Sequence, residues 1–76
     1  MDIKTNLKTF VQERLVDTAS PIFLKRALTV IEESSTDKDS LIFAAEKVSK
    51  QISLFIDRNL AKEIFENLKT EIYKYV

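Results

Sequence analysis

The chain predicts an all-α protein, a compact four-helix bundle or orthogonal array with short polar connections. Three observations predict it: apolar residues recur at helical spacing in four stretches, no stretch alternates as a half-buried strand does, and the 76 residues include no glycine. Glycine supplies the positive φ of tight hairpins and the close backbone approach of phosphate loops. Two-residue hairpins, P-loops and dinucleotide fingerprints are therefore set aside, and helix ends are expected to close on Asn, Asp or Ser.

The first helix is expected from Asp2 to about Asp17, where Ile3, Leu7, Phe10, Val11 and Leu15 form one stripe and Lys4, Lys8, Glu13 and Arg14 fill the other positions. Thr18-Ala19-Ser20-Pro21 reads as a stop and restart. Proline disfavours a helical residue before it and suits the first helical position, with Ser20 as N-cap. The second helix, Pro21 to Glu33, carries Phe23, Leu24, Ala27, Leu28 and Ile31. Residues 34–39, Ser-Ser-Thr-Asp-Lys-Asp, form a loop rich in capping residues. The third helix then runs to about Ile56 on the stripe Leu41, Ala45, Val48, Ile52 and Phe55, with Glu46 and Lys50 spaced as an i,i+4 ion pair. Asp57 reads as the cap of a fourth helix bearing Ala61, Ile64, Phe65, Leu68, Ile72 and Val76, although one long bent helix also fits this junction. The expected core contains Phe10, Leu24, Leu28, Val48, Ile52, Ile64 and Leu68, and one of Tyr73 and Tyr75 is expected at its edge.

Composition narrows function mainly by exclusion. Twelve basic and twelve acidic residues alternate along the chain, leaving no basic stripe for phosphates and no basic face for a lipid surface. No apolar stretch is long enough to span a bilayer or serve as an export signal, and cysteine is absent, so the expected address is the cytoplasm. Lacking histidine and cysteine, the chain has no nucleophilic triad, thiol chemistry or ordinary zinc site. No catalysis, cofactor, metal, nucleic acid or membrane is expected. Ser35, Asp37, Asp39 and Glu46 have the spacing of a calcium loop, but Ser40 stands where that loop needs glycine.

Two resemblances touch parts of the chain. Asp39-Ser40-Leu41 at a helix start resembles the acyl and peptidyl carrier proteins, and that resemblance implies phosphopantetheine attached to Ser40. The chain departs from it in having Lys38 before the Asp and Lys47 and Lys50 on the following helix; plain N-capping is the competing reading. Ser20-Pro21-Ile22, with Leu24, Ala27, Val48, Ile52 and Leu60, is similar to small helical modules of unassigned function on bacterial signalling proteins. Ser20 and Phe23 replace that motif's Gly and Ala, and what it implies is an interaction role.

At one hundred degrees per residue, Phe43 and Leu54 lie opposite the third helix's apolar stripe, with Lys47 and Lys50 between them. Either that helix is central and buries both faces, or its second face meets another chain. The reading from sequence is a small cytoplasmic protein–protein interaction module, a homo-oligomer or a docking partner, with Phe43, Lys47, Lys50 and Leu54 as the contact face. A carrier modified on Ser40 is the alternative.

Overall fold

The computed structural model describes residues 2–75, which fold into four α-helices: α1 (Ile3–Leu15), α2 (Pro21–Glu33), α3 (Lys38–Phe55) and α4 (Arg58–Tyr75). Helix accounts for 84% of it, far above the roughly one-third usual in globular proteins, and no strand is present among the described residues. Val76, placed in the fourth stripe by its spacing, lies outside the described residues.

Each helix starts on a side chain that accepts a backbone N–H left unpaired by the helix itself. Asp2 accepts from Thr5 at 2.9 Å, Ser20 from Phe23 at 3.2 Å, Asp37 from Ser40 at 3.0 Å and Asp57 from Leu60 at 2.8 Å. The Asp57 cap settles the third junction as a break between two helices.

Helix C-termini behave differently from the expectation. Only Ser34 is one of the residue types anticipated there; α1 closes on Val16 and α3 on Ile56, and no described residue has positive φ. At the end of α3 the Ile56 and Asp57 amides both donate to the Ile52 carbonyl, at 2.9 and 3.0 Å. The last turn is thus closed by widening it, so a left-handed residue is not needed.

The helices form a ring in which α1 packs on α2 and α4, and α3 packs on α2 and α4. The molecule measures 30 × 20 × 16 Å, and since an 18-residue helix is about 27 Å long, the helices lie along the long axis as a bundle does. Ile3, Leu7, Val11 and Leu15 of α1, Ala27 and Ile31 of α2, Leu41, Ala45, Val48 and Ile52 of α3, and Ala61, Ile64, Leu68 and Ile72 of α4 make the core. Among the described residues no helix is long and apolar enough to cross a membrane.

Three expected core positions and one stripe position are corrected. Phe10, Leu24 and Leu28 are only half-buried, packed against the core from its edge. Phe55, expected in the α3 stripe, is 74% exposed: it is the last residue of α3, and its ring meets that of Phe23 on α2 edge-on at 6.2 Å. Both Tyr73 and Tyr75 are exposed, and the Lys38 ammonium sits 4.4 Å from the Tyr73 ring centroid. Glu46 and Lys50 are not among the ion pairs of the described residues, which join Lys8 to Glu32, Arg14 to Glu63, Glu66 to Lys69 and Glu71 to Lys74.

Candidate interaction face

Helix α3 buries one side only. Its stripe of Leu41, Ala45, Val48 and Ile52 is within 1% of complete burial, while Phe43 and Leu54 on the opposite side are 61% and 68% exposed. Of the two arrangements open from sequence, the central helix buried on both faces is therefore not the one adopted. A protein of this size with a single small core has little apolar side-chain area to spare, which makes two large exposed residues on one helix face worth explaining.

The four residues of this face do not form one continuous patch. Phe43 and Lys47 line a groove of about 410 Å³ between α2 and α3, together with Val30, Ala44 and Ser40. Lys50 and Leu54 line a second groove, of about 400 Å³, between α3 and α4. The α3 ridge separates the two. Within the first groove the Lys47 ammonium lies over the Phe43 ring, 5.5 Å from its centroid, in a cation–π contact.

The second groove exists because α3 and α4 approach closely. Ala61 on α4 is buried and small, and the Ser49 hydroxyl of α3 donates to its carbonyl across the crossing at 3.1 Å. Small side chains at the contact let the backbones draw together, and the longer side chains to either side become the walls. Leu54 and Phe65 supply apolar wall, and Lys50, Arg58 and Lys62 the polar edge. The sequence stripes alone did not reveal this groove, since its residues come from the outer flanks of two helices whose pairing has to be known first.

Ser40 occupies the third position of α3 and borders the first groove. Its amide and hydroxyl hold the Asp37 carboxyl below the ordinary aspartate value, as partners in the N-terminal cap. Backbone and hydroxyl donors of Thr5 act in the same way on Asp2, and the Lys8 ammonium lowers Glu32. Helix begins at Lys38, inside the segment that a calcium loop would occupy. Among the described residues no three carboxylates gather as metal ligands.

No family model matches the chain, and no curated protein or solved structure matches it either. Neither resemblance noted from the sequence gains support from that quarter. Function has to be argued from surface chemistry.

Proposed function

We propose that this chain is a non-catalytic, cytoplasmic protein–protein interaction module that meets its partner, or a second copy of itself, through the outward face of α3. The observation that carries the reading is the exposure of Phe43 and Leu54, 61% and 68%, on the side of α3 opposite its buried stripe. A chain without cysteine and with a single small core gains most from burial supplied by another molecule. Aromatic and aliphatic anchors beside lysine stems are the side chains such contacts use, because the stems widen the apolar area while the ammonium groups stay hydrated.

Replacing Phe43 with Asp tests this. The side chain is exposed, so the variant is expected to fold with unchanged circular dichroism while self-association or partner capture weakens by about ten-fold or more, as loss of an interface anchor implies. Sedimentation over a concentration series reads the self-association form, and a wild type monomeric throughout removes it. A Phe43→Asp chain that keeps full partner binding removes Phe43 from the interface.

A further inference from the structure

We propose that the groove between α3 and α4 docks an acidic amphipathic helix of a partner protein. This rests on the interaction reading above and deepens it by naming the partner's chemistry.

The chain is neutral overall, yet this groove is edged by Lys50, Arg58 and Lys62 against the single carboxylate Glu46. None of the three cations is in an ion pair among the described residues, so no partner within the molecule takes up their charge. The neighbouring Asp57 carboxylate is turned to the Leu60 amide as the α4 cap, and Glu66 is paired with Lys69 at 3.7 Å; neither lines the groove. The α2–α3 groove has the opposite bias, with Glu33 and Asp39 facing Lys47. Charge is thus sorted between the two grooves although the chain as a whole is balanced.

Shape selects the kind of acid. Leu54, Ala61 and Phe65 give the groove apolar surface, and Leu54 is 68% exposed within it. A small hydrophilic anion leaves that surface wet. The furrow between two closely packed antiparallel helices accepts a third helix, which presents apolar residues at i, i+3, i+4 and i+7 to the floor and carboxylates along its flanks to the cations. A nucleic acid would need a longer cationic track than three side chains with a carboxylate among them.

The test uses two fluorescently labelled synthetic helical peptides with identical Leu and Phe anchors, one with Glu and the other with Lys at the flanking positions. The intact chain is titrated by anisotropy. The Glu peptide is expected to bind about ten-fold more tightly than the Lys peptide at low salt, with the difference shrinking as salt shortens the reach of the charges. The triple variant Lys50→Glu, Arg58→Glu, Lys62→Glu should reverse the order, and Leu54→Asp should weaken both peptides. Should the triple variant fail to fold, Lys50→Gln, Arg58→Gln, Lys62→Gln is expected to abolish the difference instead. Equal binding of the two peptides, binding of neither, or a preference that survives the triple variant overturns the inference. So does tighter binding of a single-stranded oligonucleotide or of anionic phosphatidylglycerol vesicles than of the Glu peptide. Phe43 lies in the other groove, so an interface lost in Phe43→Asp together with no peptide preference sinks this inference and leaves the interaction reading standing.

Discussion

The two helical hairpins of the bundle are built differently. In α3–α4 the contact includes Ser49 and Ala61, two small residues, and a side-chain hydroxyl on one helix bonds a carbonyl of the other. The α1–α2 hairpin holds its partner with larger residues, and Phe10, Leu24 and Leu28 stay half-buried at its edge. Charged side chains of α1 supplement that packing: Lys4 donates to the Glu32 carbonyl at 2.7 Å and Lys8 pairs with the Glu32 carboxylate. Small residues at the α3–α4 contact leave a groove beside it, while the larger residues at the edge of α1–α2 leave a half-covered apolar flank.

Truncating core residues should show the largest difference between the hairpins. Ile52→Ala or Leu68→Ala, at fully buried sites in α3 and α4, is expected to cost about 2–5 kcal/mol in denaturant unfolding. Leu28→Ala, at a half-buried site, should cost visibly less than either, because part of its surface is already wet. Equal losses at all three would erase the contrast.

A smaller effect sharpens it from the other direction. Ala61→Leu inserts bulk where α3 and α4 touch and is expected to destabilise by about 1–3 kcal/mol while disturbing the α3–α4 groove. Heteronuclear NMR shifts confined to α3 and α4 would locate the strain. A neutral or stabilising result would show the crossing to be slack.

The smallest effect is acid sensitivity. Asp2, Glu32 and Asp37 all have folded-state pKa values lowered by the donors that hold them. The unfolded chain therefore binds protons more readily, so the contribution of these groups is present above the ordinary carboxylate range and is lost as pH falls through their lowered values. Two of the three, Asp2 and Glu32, belong to the α1–α2 hairpin or its cap, which should loosen first. Thermal melts at about pH 7 and about pH 3 are expected to show a modest drop, reduced in Glu32→Gln. A melting temperature that rises in acid would contradict the direction of all three shifts.

Much of the fold was legible because each stripe obeyed one period. Ile3, Leu7, Val11 and Leu15, and likewise Ala61, Ile64, Leu68 and Ile72, stand where helical spacing puts them, and Ser20-Pro21 and Asp57 marked helix starts by their capping chemistry. Spacing failed where depth depends on the neighbour. Phe55 fits the stripe by angle but sits at the helix end, and Leu24 and Leu28 fit theirs but face the bundle's flank. The exposure of Phe43 and Leu54 was readable as an angle on one helix. Their division between two grooves was not, since it depends on which helix lies on each side of α3.

The absence of glycine, matched by the absence of any left-handed backbone among the described residues, bears on the state the protein folds from. Every residue carries a β-carbon, so the unfolded ensemble of this chain explores less conformational space than a chain with the usual share of glycine, and less entropy is lost when the helices form. Part of the stability of so small a core then resides in the denatured chain. Placing glycine in the α2–α3 connection, for instance at Ser35 or Thr36, would enlarge that ensemble while leaving the native packing untouched, a weakening that no inspection of contacts in the folded bundle would foresee.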